Sequence, residues 1–482
     1  MTQRSLVGAL SILIIVTFLA IESGAAGAAT TVTAPVNVTH DKYADNEESL
    51  GMSPSGSLLA SSWNDWDYND GCGFSYSTTG GASWAPHTFV PGLTQFTNDP
   101  NVPGTGKFEV AGDPSVAYNP RFGVFDVVCQ AFDFTPPYPI QLLSTTFDPA
   151  AANPNANENL SYGAAAWTDP VAVATGHSPG TLKGSSGQVP DHESITVDTG
   201  TGPGHHYGRI YVVWAQFNGF GRSPIELAYS DDNGASWTGP ITVSDRTHQF
   251  DQDGRIDIAP DGTLYATWSN SPTETSLVNN KAMIAVSHDG GNTWSGSYTA
   301  AAIVDPVPGV LPNSNYRAFT DVTSAVDQAT GRVVVVFNDE RSGASNMWST
   351  HNVGGSVANW SNPLRVKSST HQQFFPWMSA APNGRLDLAY YDRSCDASDT
   401  RNCVTLSSTD DGGGTWANTA LTTQGFDGDK FQACLAFVDP VNCGVFFLGD
   451  YIAVGSTNSK AQVLYTGNGA TSQDVFSIQA GF

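Results

Sequence analysis

The sequence has 482 residues, of which 40% are hydrophobic and only 13% are charged, and its formal net charge is −25. A chain this acidic has no basic stripe that could neutralise phosphates, so its charge argues against a nucleic-acid partner. Its 49 glycines and its aromatic fraction of 11% suit many short strands joined by polar turns, in one large repeat array or in two or three ordinary domains.

The first 28 residues have the features of a secretory signal peptide. Arg4 supplies a positive start, residues 10–21 form an apolar core, and residues 26–28 (Ala-Gly-Ala) offer a cleavage site. We therefore expect residues 29–482 to form one mature domain without a membrane span, secreted or held at the cell surface. A retained N-terminal anchor is the alternative.

After this segment, residues 31–39 alternate apolar and polar side chains like one lone strand. A longer unit then recurs at intervals of roughly 60 residues, within the range of four-stranded propeller blades. Its clearest strand follows a glycine-containing turn and occurs seven times, at residues 57–63, 123–128, 209–214, 263–268, 332–337, 385–390 and 461–465. The pattern predicts an all-β propeller of seven four-stranded antiparallel blades. The last unit lacks a strand, which residues 31–39 would supply, closing the ring.

An eight-residue stretch of the form S/T-x-D-x-G-x-x-W punctuates these units. Ser and Asp side chains can accept hydrogen bonds from backbone N–H groups, glycine can adopt a positive φ, and tryptophan can cover the next sheet. The stretch therefore predicts a tight hairpin turn. A fourth copy, from Ser77 to Trp84, has lost its aspartate. The residues that define the three full copies are Ser230, Asp232, Gly234 and Trp237; Ser287, Asp289, Gly291 and Trp294; and Thr409, Asp411, Gly413 and Trp416.

This pattern resembles the Asp-box, or BNR repeat, of sialidase-like β-propellers, and the resemblance spans nearly the whole mature chain. It implies a propeller fold, with six blades as the alternative to seven because sialidase domains have six. It also implies that ligands bind on the face away from the Asp-boxes, where the first strand of each blade begins.

Aromatic and acidic side chains are concentrated at that face. Flat rings stack on sugar C–H groups and carboxylates accept hydrogen bonds from hydroxyls, so the combination is typical of a sugar site. Channel-plugging aromatics and solvated acids are the structural alternative. Glu47, Glu48, His192 and Asp253 are expected at the same face without an assigned role. The predicted substrate-binding residues are Trp66, Phe375, Trp377, Asp450 and Tyr451.

For an active sialidase, the resemblance implies three arginines that hold the substrate carboxylate, a Tyr–Glu nucleophile pair and an Asp acid. By position, the arginines would be Arg255, Arg317 and Arg393, the pair Tyr316 (or Tyr451) with Glu193, and the acid Asp113. The early arginine motif of the family is absent, because no arginine occurs between Arg4 and Arg121. Three further arginines follow a glycine in turns of the opposite face, where a structural, solvated role is expected: Arg209, Arg332 and Arg385.

Six cysteines in an exported chain favour disulfide bonds. The short separations within Cys395–Cys403 and Cys434–Cys443 predict two pairs, which leaves Cys72–Cys129. No cofactor is expected to be required. Calcium is an open alternative, because residues 64–70 and 251–253 are rich in aspartate, although neither stretch has EF-hand spacing.

Three functions are compatible with these features. The first is a secreted glycoside hydrolase of exo-sialidase type or of a neighbouring specificity. The second is a non-catalytic propeller that binds a glycan, a glycoconjugate or a surface protein. The third is a structural or adhesive module at the cell surface. The absent arginine motif leaves catalysis itself open, and a monomer is expected in each case.

Overall fold

A computed structural model of the protein describes residues 27–40, 42–66, 71–97, 101–155, 160–177, 187–219, 222–248, 250–272, 278–431 and 447–482. Within these ranges the regular secondary structure consists of β-strands and two short 3₁₀ helices, Ala164–Ala166 and Arg393–Cys395. None of the helices in the described ranges is long and apolar enough to cross a membrane. Most of the predicted signal peptide, residues 1–26, lies outside the described residues.

The strands pair antiparallel with their neighbours in chain order. Two short strands, β1 (Thr31–Val32) and β2 (Val36–Asn37), come first. Sheet 1 then contains β3 (Asp45–Met52), β4 (Leu59–Asp65), β5 (Gly71–Ser77) and β6 (Thr88–Phe89). Sheet 2 contains β7 (Val110–Asn119), β8 (Val124–Phe132), β9 (Pro139–Phe147) and β10 (Val171–His177). Sheet 3 contains β11 (Gln188–Val197), β12 (Ile210–Asn218), β13 (Ile225–Ser230) and β14 (Thr238–Thr242), and a single residue pair, His177 with Gln188, joins it to sheet 2.

The second half of the chain continues the same order. Sheet 4 contains β15 (Phe250–Ile258), β16 (Leu264–Ser271), β17 (Lys281–Ser287) and β18 (Tyr298–Ala302), and a two-stranded ribbon of β19 (Pro308–Val310) and β20 (Arg317–Phe319) follows it. Sheet 5 contains β21 (Val322–Val326), β22 (Val333–Asp339), β23 (Asn346–Val353), β24 (Ser356–Trp360) and β25 (Leu364–Arg365). Sheet 6 contains β26 (Gln373–Ala380), β27 (Leu386–Asp392), β28 (Arg401–Thr409), β29 (Ala417–Ala420) and β30 (Phe426–Asp427). Sheet 7 contains β31 (Ala453–Ser456), β32 (Lys460–Asn468) and β33 (Gln473–Gly481).

The prediction of an all-β fold built from four-stranded antiparallel sheets is confirmed. Both N-terminal strands pair with β33, Thr31 opposite Gly481 and Val36 opposite Ser477, so they complete sheet 7. The first strand of each sheet also contacts the first strand of the next sheet, and β31 contacts β3.

Apolar side chains fill the space between successive sheets, because each strand presents one apolar face to each neighbour. Such clusters lie between every consecutive pair of the seven sheets in the described chain, and one lies between sheet 7 and sheet 1. Residues that share a cluster are Phe74 with Phe125 (sheets 1 and 2), Val128 with Trp214 (2 and 3), Leu227 with Trp268 (3 and 4), Ile284 with Val335 (4 and 5), Val336 with Leu388 (5 and 6), Tyr391 with Val463 (6 and 7) and Leu464 with Trp63 (7 and 1).

The predicted hairpin turns use the hydrogen bonds expected from their sequence. In the turn after β13, Ser230 Oγ donates to Asp232 Oδ1 at 2.8 Å and accepts from the Gly234 N–H at 2.9 Å. Asp232 Oδ1 also accepts from the Ser236 N–H at 2.9 Å. The turns at Ser287 and Thr409 repeat these contacts. In the turn at Ser77, a threonine hydroxyl replaces the aspartate as acceptor.

The tryptophans of these turns pack against the preceding sheet and not against the following one, which corrects the expectation from sequence. Trp237, in the turn of sheet 3, contacts the cluster shared with sheet 2, and Trp294, in the turn of sheet 4, contacts the cluster shared with sheet 3. Trp416 does the same between sheets 5 and 6, where its Nε1 donates to Ser349 Oγ at 3.1 Å.

Basic side chains on this side of the molecule connect neighbouring sheets. Each donates at 2.9 Å to a backbone carbonyl oxygen in the hairpin of the following sheet: Arg209 to Gly290, Arg332 to Asp411, and Lys460, in sheet 7, to Gly80 in sheet 1. These contacts agree with the structural role expected for the arginines, whereas the expected solvation does not hold for Arg209 and Arg385. Arg209 and Arg385 are only 7% and 3% exposed, because carboxylates and carbonyl oxygens replace their water.

Two of the three predicted disulfides are confirmed. Cys72–Cys129 connects β5 to β8, and so sheet 1 to sheet 2, while Cys395–Cys403 closes a short loop that ends within β28. The predicted pair Cys434–Cys443 lies outside the described residues.

We expect the carboxylate of Asp411, in the turn that begins at Thr409, to be required for stability. Asp411 accepts four hydrogen bonds, from Thr409, Gly414 and both the N–H and hydroxyl of Thr415. Asp411→Ala should lower the free energy of unfolding in urea by about 2 kcal/mol. The adjacent Asp410 is exposed, so Asp410→Ala should change it by less than about 0.5 kcal/mol. Equal losses in the two variants would contradict the role given to this turn.

Candidate functional site

Five first strands share a β-bulge near their start, where the pairing with the second strand shifts its register. One residue in each bulge adopts the left-handed backbone conformation. Residues other than glycine rarely adopt this conformation, and such strain concentrates at functional sites. The five residues are Glu47 (φ 59°), Asp113 (φ 51°), His192 (φ 54°), Asp253 (φ 60°) and Phe375 (φ 52°).

The polar members of this set meet one another. The carboxyl groups of Glu47 and Asp113 are hydrogen-bonded together. His192 Nδ1 lies 2.8 Å from Asp253 Oδ1, and the charge of His192 also acts on Asp113. The bulges therefore bring side chains from four successive sheets to one place. We call this place the mouth; it also includes Glu193, Arg255, Arg317, Asp321, Trp377, Asp450 and Tyr451.

Arg317 enters the mouth from the ribbon that precedes sheet 5. Its Nε donates to Asp450 Oδ1 at 2.7 Å, and its Nη2 donates to the other oxygen of the same carboxylate. Its guanidinium also lies 4.7 Å from the ring centre of Phe447. The side chain remains 42% exposed, so it is the most accessible of the three mouth cations.

Arg255 lies deeper, against aromatic rings. Its guanidinium stacks 3.4 Å from the ring centre of Trp377, and its Nη2 is 3.9 Å from Asp321 Oδ2. The Tyr451 ring lies 5.9 Å from Trp377 and 5.4 Å from His192. Arg255, Trp377, Tyr451 and His192, with Glu193, line a small pocket.

Burial controls the protonation of the mouth acids. It raises the pKa of Glu47 well above its usual value, and the nearby charges of Asp113 and Asp450 raise it further, so Glu47 is the protonated member of its carboxyl pair. Burial also raises the pKa of Glu193 well above its usual value, and the charge of Asp113 adds to this effect.

Burial and neighbouring charges also set the protonation of His192 and Tyr451. Burial disfavours the charged form of His192, but the Asp253 carboxylate outweighs this effect and the pKa of His192 is raised to about 9. Burial together with the surrounding carboxylates raises the pKa of Tyr451 well above its usual value. At neutral pH His192 is therefore a cation and Tyr451 a neutral phenol, a hydrogen-bond donor and not a tyrosinate.

The six residues predicted to be catalytic divide into two groups. Asp113, Glu193, Arg255 and Arg317 come together at the mouth. Tyr316 and Arg393 lie in a separate buried cluster, where Arg393 Nη2 donates to the Tyr316 hydroxyl at 2.6 Å and both contact Asn402. Arg393 has no exposed surface and also donates to two backbone carbonyls, so its donors are already used within the fold. The alternative tyrosine, Tyr451, is the one that shares the pocket with Glu193.

The five predicted substrate contacts divide in the same way. Trp377, Asp450 and Tyr451 belong to the mouth. Trp66 lies at its edge, where its Nε1 donates to Asn46 Oδ1 at 3.0 Å and its ring contacts Phe447. Phe375 has no exposed surface and packs in the core beside Phe374 and Tyr391. Its burial is at odds with a role in binding substrate.

Several mouth residues received no role from the sequence. Glu47, His192 and Asp253 were expected at this face only, and Asp321 was not identified. A signal existed in the first three sheets, because the left-handed residue stands two positions before a serine: Glu47 before Ser49, Asp113 before Ser115, and His192 before Ser194. The repeat would have aligned the three bulges.

Within the described ranges, no group of three or more His, Cys, Asp or Glu side chains is arranged to hold a metal ion. Of the stretches considered for calcium, residues 67–70 lie outside the described residues. In the other stretch, Asp251 accepts a hydrogen bond from Asn270 at 2.9 Å, and Asp253 accepts one from Ser269. Calcium binding therefore stays a prediction.

Comparison with known proteins gives similarity of fold only. No protein-family model and no curated protein sequence matches the chain. A polysaccharide lyase, an ulvan lyase bound to -[GlcA(1-4)Rha3S]-, matches with a TM-score of 0.50 and 8% identity over 93% of this chain and 96% of its own. A protein of unknown function from Dyadobacter fermentans matches at 0.49 and 13% identity over 94% and 99% of the two chains. Hadza microbial sialidase Hz136 matches at 0.43 and 17% identity over 92% and 68%.

A buried acid beside the mouth should make stability depend on pH. Glu48 accepts a hydrogen bond from Thr466 Oγ1 at 2.7 Å, and burial raises its pKa from 4.5 to about 8. The unfolded chain releases this proton at much lower pH than the folded chain. The stabilisation is therefore present below pH 4.5 and is lost as pH rises towards 8.

We expect the free energy of unfolding of the wild type to decrease between pH 5 and pH 8, by up to about 1.4 kcal/mol per pH unit from this residue. Glu48→Gln keeps an oxygen acceptor for Thr466 and has no charge at any pH, so its decrease should be smaller. Urea unfolding at several pH values measures both slopes. Parallel slopes would show that Glu48 does not titrate as described.

Proposed function

We propose that the protein is an exported, glycan-acting β-propeller with seven blades, closed by its N-terminal strands. Three observations support this architecture: the seven apolar clusters, which include one between sheets 7 and 1; the contact of β31 with β3; and the pairing of β1 and β2 with β33. A six-bladed arrangement has no support from these contacts. The fold shared with a polysaccharide lyase is consistent with a glycan ligand.

We further propose that the mouth cleaves glycosidic bonds and that the carboxyl pair of Glu47 and Asp113 supplies the proton. This pair is the observation that carries the proposal. Two carboxyl groups in hydrogen-bond contact in a buried site cannot both ionise readily, so they hold one proton between them at a pH where isolated acids have lost theirs. A carboxylic acid with a raised pKa is the group that protonates a leaving-group oxygen in glycoside hydrolysis.

Other mouth residues would position the sugar. Asp113 is half-buried, so it faces a ligand, while Glu47 holds the shared proton behind it. On cleavage the proton would pass from Glu47 through Asp113 to the leaving-group oxygen, and a water molecule would bond to the anomeric carbon and return a proton to the pair. The partly exposed ring of Trp377 offers an apolar face, and the Tyr451 phenol offers a hydrogen-bond donor. His192, held by Asp253, places a positive charge beside Asp113 and favours its ionised form.

The sialidase mechanism has less support than hydrolysis in general. Arg393 lies outside the mouth, so at most two of the three arginines could hold a substrate carboxylate. The raised pKa of Tyr451 also disfavours the tyrosinate that would act as nucleophile. A non-catalytic glycan-binding propeller is the second candidate, since the mouth offers aromatic faces and carboxylates whether or not bonds are cleaved.

Activity on a panel of fluorogenic glycosides and polysaccharides tests this proposal. We expect Glu47→Gln and Asp113→Asn each to lower kcat/KM by about a hundredfold or more, because each removes the transferable proton or its partner. Circular dichroism checks that the variants fold. Asp169→Asn is the matched control, because Asp169 is exposed and lies outside the mouth; its activity should equal that of the wild type.

Retention of full activity by both pair variants would refute the assignment of the proton donor. No turnover of the entire panel by the wild type, with glycan binding that Asp113→Asn abolishes, would instead support the binding function.

A further inference from the structure

The charged groups of the mouth are paired in a way that restricts which sugars can bind. Arg317 uses two of its nitrogens on Asp450. His192 Nδ1 is 2.8 Å from Asp253. Arg255 faces Asp321 at 3.9 Å and has one side covered by Trp377. Each of these three cations therefore already has a carboxylate beside it.

The mouth also holds carboxyl groups in excess of its cations. Glu47 and Asp113 are bonded to each other. Glu193 is only 5% exposed, and neither of its carboxyl oxygens has a hydrogen-bond partner of good geometry among the described residues. Six carboxyl groups thus surround three cations, counting Asp253, Asp321 and Asp450 with these three.

Resting on the proposed function, we propose that the sugar unit held at the mouth is uncharged. A carboxylate, sulfate or phosphate group on this unit would have to displace Asp450 from Arg317 or Asp253 from His192, and it would face the remaining carboxyl groups in a poorly solvated site. The Arg255 Nε has no hydrogen-bond partner among the described residues, but Arg255 is only 7% exposed and its guanidinium is covered by Trp377. A hydroxyl group meets neither cost, because it donates a hydrogen bond to Asp113 and accepts one from Tyr451.

Amino sugars are disfavoured by the same arrangement. Burial holds Glu47 and Glu193 in their neutral forms. The mouth therefore has more carboxyl groups than cations but little excess negative charge to attract an ammonium group. An ammonium group would also approach the cationic His192 and Arg255. An uncharged sugar can bind without breaking an ion pair of the mouth and without approaching a group of like charge.

Matched pairs of substrates that differ only at one carbon test this inference: a glucoside with a glucuronide, and a galactoside with a galacturonide. Sialosides and glucosaminides complete the set. Turnover and binding by calorimetry are measured for each with the wild-type protein. We expect activity and measurable affinity only with neutral members. Preference for a uronide, a sialoside or an amino sugar would overturn the inference while leaving the glycan-cleaving function intact.

A failure of the proposed function would give a different experimental result. If no sugar is cleaved, calorimetry still reports whether neutral or anionic sugars bind, so the charge preference is decided separately from catalysis.

One substitution should shift the preference of the mouth towards an anionic sugar. Asp450→Asn removes the carboxylate that occupies Arg317, the most exposed cation of the mouth, and so provides an unpaired guanidinium. We expect its affinity for the uronide to rise by about tenfold relative to wild type, with a smaller change for the matching neutral sugar. Asp169→Asn is the control and should leave both affinities unchanged. An Asp450→Asn protein that folds, by circular dichroism, and still rejects the uronide would contradict the inference; if it does not fold, the wild-type pairs decide.

Discussion

The left-handed bulge at the start of five first strands is the constraint on which the mouth depends. A regular strand would alternate its side chains between the two neighbouring sheets and bury them in the apolar clusters. One extra residue with a positive φ breaks this alternation, and in sheets 1 to 4 it directs Glu47, Asp113, His192 and Asp253 towards one another. The strain of the bulges is thus distributed over several sheets. The proposed cleavage of glycosidic bonds depends on the polar cluster that results.

The opposite side of the molecule serves stability. Its hairpins are held by serine, threonine and aspartate side chains, its tryptophans fill gaps against the preceding sheet, and its basic residues bind carbonyl oxygens of the following hairpin. Lys460 makes this contact between sheet 7 and sheet 1, so the first and last sheets are connected as their neighbours are. Because these contacts do not involve the mouth, side chains there can vary without loss of the connections between sheets.

The sequence predicted the fold better than the site. Alternating strands and the repeated turn identified the second strand of all seven sheets, since both signals are local in the chain. The mouth is assembled from residues about 60 positions apart, whose convergence depends on backbone conformations that no pattern of polarity reveals. Arg393 was chosen by its place after a strand, but its N–H donors are used within the core, on Tyr316, Asn402 and two backbone carbonyls. Asp321 was missed because the residues assigned by position in this part of the chain were Tyr316 and Arg317.

The stability of two variants at position 113 tests the central constraint most directly. Asp113→Gly and Asp113→Ala both remove the carboxyl group, so the difference between their free energies of unfolding isolates the backbone conformation. At a left-handed position glycine should be the more stable variant by about 1 kcal/mol, whereas in a regular strand alanine is favoured by about 0.5–1 kcal/mol. Greater stability of the glycine variant is the result expected from the bulge. Greater stability of the alanine variant would mean that this strand is regular and that its acids do not converge as described.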